Sequence, residues 1–127
     1  MEFHTKAISR DATISEVAEI VNYFTEKGYD SCEVMLGFGW ALSYYTGSEW
    51  LKETVLLKTL TAFILELEDK GLGKVCNDDF YIWVGNSEFK LCNDSDIHLS
   101  CNKIAAEHKH FLERWDYKGY DAVEHSS

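Results

Sequence analysis

The stretch from Ser48 to Gly71 constrains this chain most. Trp50, Leu51, Val55, Leu56, Leu60, Phe63, Ile64 and Leu67 recur at steps of one, three and four, while Lys52, Glu53, Lys58, Thr59 and Glu66 fall mostly elsewhere. That is the pattern of one broad apolar stripe on a helix. Ser48 has the chemistry of an N-cap, and Gly71 that of the residue just past a helix C-terminus. At about 1.5 Å per residue, roughly 22 helical residues run about 33 Å, the diameter of a small domain. The expectation is one helix crossing the whole molecule, with everything else packed on it.

The flanking segments add further elements. Thr13 followed by Glu16 is a capping box, so a helix is expected from Thr13, with Ile14, Val17, Ala18, Val21 and Phe24 as its apolar stripe and Gly28 at its end. Residues 1–12 say less, although Phe3 and Ile8 suit an edge strand. Val34–Tyr45 fits two patterns: Val34, Leu36, Phe38, Trp40 and Leu42 alternate as in a strand, and Met35, Phe38, Leu42 and Tyr45 make a helical stripe. We read it as a helix whose glycines permit close approach to the long one.

After Gly73 the period changes to two. Phe80, Ile82 and Val84 alternate with Asp79, Tyr81 and Trp83, Gly85–Asn86 suits a type II′ turn, and Phe89 and Leu91 return, so residues 79–92 read as a β-hairpin. Centring the turn on Gly85 and Asn86 sets Ile82 opposite Phe89 and Phe80 opposite Leu91 inside, with Trp83 beside Glu88 and Tyr81 beside Lys90 outside. A third strand at 97–99 follows the polar loop Asn93–Asp96. A last helix begins near Asn102, with Ile104, His108, Phe111, Leu112 and Trp115 on one stripe, and the residues from Tyr120 form a loose tail. The expected fold is α+β, with three or four helices on a small antiparallel sheet.

At 127 residues, 46% hydrophobic and 27% charged, the chain has the size of a single domain, residues 1–127, around one core. Met1–Lys6 lacks the basic start and apolar run of a secretory signal, and the longest uncharged run, Val34–Ser48, is broken by glycines and polar residues. A cytoplasmic protein without a membrane span is therefore expected. In that compartment Cys32, Cys76, Cys92 and Cys101, none in a Cys-x-x-Cys pair, should be reduced. Twenty-two acidic against 12 basic residues give a net charge of −10, which repels nucleic acid and anionic membrane and attracts basic proteins.

No catalytic signature stands out. Cys92, His98, Cys101, His108 and His110 have ligand chemistry, but their spacing does not make the close pairs of a zinc knuckle, and His108 on an apolar stripe reads as a hydrogen-bonded core residue. Glu107 and His110 supply one Glu-x-x-His where a di-iron site needs two. Cys76 and Cys92 have acidic surroundings, which disfavour a reactive thiolate. Asp94–Asp96 is a turn without the rest of a calcium loop. No enzyme, metal or cofactor is expected.

What remains is suited to binding. Tyr81 and Trp83 face outward on the hairpin, bordered by Asp78, Asp79, Glu88, Asp94 and Asp96, and aromatic anchors ringed by one sign of charge make a steered interface. In size, acidity and lack of catalytic motif, the chain resembles the small acidic immunity proteins with which bacteria neutralise their own secreted or contact-delivered toxins, many of them basic nucleases. That resemblance implies a non-catalytic inhibitor of a basic protein partner, acting through those seven residues. Two other classes fit the composition: a phage-type acidic decoy that mimics DNA, and a small enzyme whose site is assembled from scattered residues.

Overall fold

The structure is a computed structural model that describes residues 1–37, 40 and 52–124. In chain order its elements are β1 (Glu2–His4), α1 (Arg10–Glu26), β2 (Ser31–Leu36), β3 (Glu53–Leu56), a 3-10 turn (Leu57–Thr59), α2 (Leu60–Asp69), β4 (Phe80–Val84), β5 (Ser87–Leu91), β6 (Ile97–Ser100), α3 (Ala106–Tyr117) and β7 (Val123–Glu124). The strands form one seven-stranded sheet in the order β3-β2-β4-β5-β6-β1-β7, with every pair antiparallel. This corrects the expected architecture. The class is α+β, but the sheet dominates, with three helices among the described residues. Of the extra strands, β1, β3 and β7 have only two to four residues, and their pairing, like that of the six-residue β2, is set by partners distant in sequence.

The hairpin has the expected register. Ile82 sits opposite Phe89, Phe80 opposite Leu91, Trp83 opposite Glu88 and Tyr81 opposite Lys90. Gly85 turns it at a φ of +58°, which a side chain would strain. The third strand also forms, at Ile97–Ser100.

The long helix is overturned. Residues 48–51 lie outside the described residues, Glu53–Leu56 is a strand, and only Leu60–Asp69 is α-helical. Extended Glu53–Leu56 satisfies the backbone of β2 at Ser31–Val34, and the Leu57 N–H continues the connection to the Asp30 carbonyl at 2.9 Å. Leu60, Ile64 and Leu67 keep helical spacing on the buried side, and Gly71 follows at a φ of +73° as expected.

The helix expected over Val34–Tyr45 is likewise replaced, as far as Leu36, by strand β2; residues 38, 39 and 41–45 lie outside the described residues. Cys32, Val34 and Leu36 are buried and alternate with Ser31, Glu33 and Met35, so period two wins over the helical stripe. Helix α1 starts at Arg10 rather than Thr13. Ser9 is its cap, accepting from the Ala12 N–H at 3.1 Å, and the Thr13 hydroxyl donates to the Ser9 carbonyl. Glu16, freed from a capping role, is buried against α3.

The tail is also more ordered than expected: Val123–Glu124 pairs with β1, which puts β1 inside the sheet rather than at its edge. All three helices pack on one face of the sheet. Val17, Ile20 and Phe24 of α1, Leu60, Ile64 and Leu67 of α2, and Phe111 and Trp115 of α3 join Val34, Phe80, Ile82, Phe89, Leu91, Ile97 and Leu99 in a single core. The other face carries the polar and aromatic residues of the same strands. Among the described residues no helix is long and apolar enough to cross a membrane.

Candidate functional site

Because side chains alternate along each strand, the residues left over by the core fall into rows on the face away from the helices. One row runs Glu33, Trp83, Glu88, Ser100 and Glu2 across β2, β4, β5, β6 and β1. The next runs Met35, Tyr81, Lys90, His98, His4 and Val123. Cys92 and Asp96 continue the same alternation, joined by the Cys92 N–H donating to the Asp96 carbonyl at 3.0 Å.

Tyr81 and Trp83 lie side by side on this face, both half-buried, their rings stacked at 5.6 Å and 8°. The Trp83 indole N–H donates to the Glu88 carboxylate at 2.6 Å, and the Lys52 ammonium stands 4.0 Å above the Trp83 ring. Lys90 stands 5.4 Å from the Tyr81 ring. Despite burial, its ammonium is held above the usual lysine range by Cys92, Asp79 and Tyr81. The aromatic pair is therefore fixed in place and already accepts cations on its π faces. Beside it, a cleft of about 830 Å³ is lined by Glu2, Trp83, Glu88, Glu124 and Cys101, together with Ser87, whose buried hydroxyl has no hydrogen-bond partner among the described residues. Burial pushes the Cys101 thiol up, the reverse of what nucleophilic catalysis requires.

The expected interface residues have different surroundings. Tyr81, Trp83, Glu88 and Asp96 share the open face. Asp78 and Asp79 sit at its margin and hold loops: Asp78 accepts the Lys74 N–H and Asp79 the Asn93 N–H, each at 2.8 Å. Asp94 is in the turn between β5 and β6, where the neighbouring Asp96 carboxylate pushes its carboxyl up. Burial opposes ionisation of Asp96, but the Asp94 carboxyl and the nearby His98 outweigh it and bring its carboxyl down.

The ligand-type residues near the C-terminus do not assemble as one group. His108 is buried in the core, its Nδ1 accepting from the Ala105 N–H at 2.9 Å, and His110 pairs with Glu19 at 2.7 Å. Cys92 and His98 instead lie around Asp96, and two sets of possible ligand atoms, each within 4.8 Å, share that carboxylate: His4, Asp96 and His98; and Cys92, Asp94 and Asp96. Sequence reasoning missed His4 and Glu2 because they reach this place through a strand pairing between opposite ends of the chain. Glu33 was also missed as a member of the face, since it falls between the helix expected to end at Gly28 and the one expected over Val34–Tyr45.

No protein-family model, curated protein or solved structure matches this chain. Its chemistry has to be taken from the face itself.

Proposed function

We propose that the chain is a non-catalytic inhibitor that binds and neutralises a basic protein, in the manner of bacterial immunity proteins against their cognate toxins, and that the open face of the sheet is its docking surface. The observation that carries this reading is the stacked Tyr81–Trp83 pair, locked by Glu88 and topped by Lys52, on the sheet face opposite the described helices. Rigid aromatic rings lose little entropy on binding and make good anchors. A ring that holds its own lysine at 4.0 Å can exchange it for an arginine or lysine of the partner. Glu33 beside the pair, and Glu2, Glu88 and Glu124 in the cleft, supply the complementary charge, and the net charge of −10 steers a basic protein toward the molecule.

A DNA-mimicking decoy fits this face less well. It calls for an extended line of carboxylates, and here the second row intersperses Lys90, His98 and His4. The test is co-expression with a basic toxin encoded beside this gene, followed by titration of the purified pair. A one-to-one complex that abolishes toxicity, weakened by Trp83→Ala in a folded variant, is expected. A toxin that stays active and unbound in the presence of folded inhibitor would overturn the reading.

A further inference from the structure

His98 has a carboxylate at each ring nitrogen. Its Nδ1 lies 2.6 Å from Glu2 Oε1, and its Nε2 lies 3.1 Å from Asp96 Oδ2. The ring of His4 meets that of His98 edge-on, with centroids 5.5 Å apart, and both rings and the Asp96 carboxylate offer ligand atoms within 4.8 Å of one another. We propose that His4, His98 and Asp96 form a binding site for a borderline divalent metal ion, zinc by its donor set, with Glu2 as the carboxylate that orients His98.

Four observations converge on that site. Two imidazoles and one carboxylate are a donor set that suits zinc and its neighbours and does not suit calcium or magnesium, which take oxygen ligands. The Glu2–His98 contact is the arrangement in which a carboxylate accepts the Nδ1 proton of a ligating histidine, fixing the tautomer that leaves Nε2 for the metal. Metal–nitrogen and metal–oxygen bonds of about 2.0 to 2.2 Å at a near-tetrahedral angle place the two donor atoms about 3.4 Å apart. The Nε2 to Oδ2 separation of 3.1 Å is within a few tenths of an ångström of that, and the His4 donor, within 4.8 Å of both, reaches the same ion by a side-chain adjustment of about an ångström. Finally, Asp96 Oδ1 is buried and has no hydrogen-bond partner among the described residues, a lone pair that a metal ion would satisfy.

The ligands come from two strands whose pairing the sheet enforces, His4 opposite His98 in the β1–β6 ladder, with Asp96 two residues before His98. Three protein ligands leave a coordination position for water or for a donor from another molecule. The site can be tested on the chain alone.

The experiment is zinc titration of the purified, reduced protein in competition with a chromophoric chelator, with the visible spectrum of cobalt as the reporter of coordination. One equivalent should bind saturably. His4→Gln and His98→Gln should each weaken zinc at least tenfold, Glu2→Gln should weaken it by about 10 to 100-fold, and His110→Gln, on the opposite side of the molecule, should leave it unchanged. Circular dichroism establishes that each variant is folded. If His98→Gln does not fold, zinc protection of His4 and His98 from acylation in the parent protein is the second readout. Absence of saturable binding at micromolar zinc, binding unaffected by His4→Gln, or undiminished acylation in zinc would each overturn the proposal.

Discussion

Glu16 in α1 and Arg114 in α3 form a forked ion pair inside the protein, with Arg114 Nε 3.0 Å from Glu16 Oε1 and Arg114 Nη2 2.9 Å from Oε2. The Trp115 indole N–H donates to the same Oε1 at 2.7 Å. Glu16 is 1% exposed, so its carboxylate has exchanged water for three donors and clamps two helices that are far apart in sequence. Removing one partner strands the others. Arg114→Met should therefore cost about 3 to 5 kcal/mol in a urea melt, because it leaves a buried carboxylate without its counter-charge. Replacing Glu16 and Arg114 together by apolar residues should cost clearly less than the sum of the single changes, and simple additivity would show that the pair is not coupled.

The centre of α2 offers a second test. Ile64 is fully buried, whereas Phe63 next to it is only half-buried against the core. Ile64→Ala should cost about 2 to 5 kcal/mol, and Phe63→Ala should cost less than its larger size suggests. Equal or reversed losses in chemical denaturation would mean that α2 presents a different face to the sheet.

These positions also show which parts of the fold are legible in sequence. The hairpin is, because a strict period of two and Gly85–Asn86 are local signals that agree. Helix α1 is legible in its stripe but not in its start: Ser9 and Thr13 both carry capping hydroxyls, and tertiary demand for Glu16 decides between them. Val55 and Leu56 illustrate the opposite case. Four extended residues give too short a pattern to separate from the helical stripe that follows, and what makes them a strand is β2, some twenty residues away. The open face is half legible for the same reason. Tyr81, Trp83 and Glu88 belong to the hairpin, while Glu33, His4 and Glu2 arrive through pairings that no local periodicity encodes.

Cys32 gives the fold a dependence on alkaline pH. Burial in β2 pushes its thiol up to about 11. The folded chain thus keeps a proton that the unfolded chain releases from about pH 8.5. A group whose pKa is raised by folding contributes fully below its unfolded value and loses that contribution as pH rises toward its folded value, here between about pH 8.5 and 11, at most about 3 kcal/mol. Urea midpoints should fall across that window, and Cys32→Ala should reduce the slope. An identical slope in the variant would assign the alkaline loss to other groups.

The proposed docking face makes a kinetic prediction that separates its two ingredients. Charge acts on encounter and weakens as salt shortens the Debye length, whereas a central aromatic acts on dissociation and is little affected by salt. Glu33 is exposed on β2 directly opposite Trp83, and among the described residues none of the hydrogen bonds or ion pairs that organise the loops runs through it, unlike Asp78 and Asp79. Glu33→Lys should therefore lower the association rate with the proposed basic partner and flatten its salt dependence without disturbing the sheet. Trp83→Ala removes the ring that Tyr81 and Lys52 share, and should chiefly raise the dissociation rate, by the equivalent of about 2 kcal/mol or more if that ring is the anchor. Surface-based kinetics at low and high salt, with circular dichroism on both variants, resolve the two effects. Folded variants that both bind as the parent does would move the interface off this face, and the acidic back of α1 would be the next surface to examine.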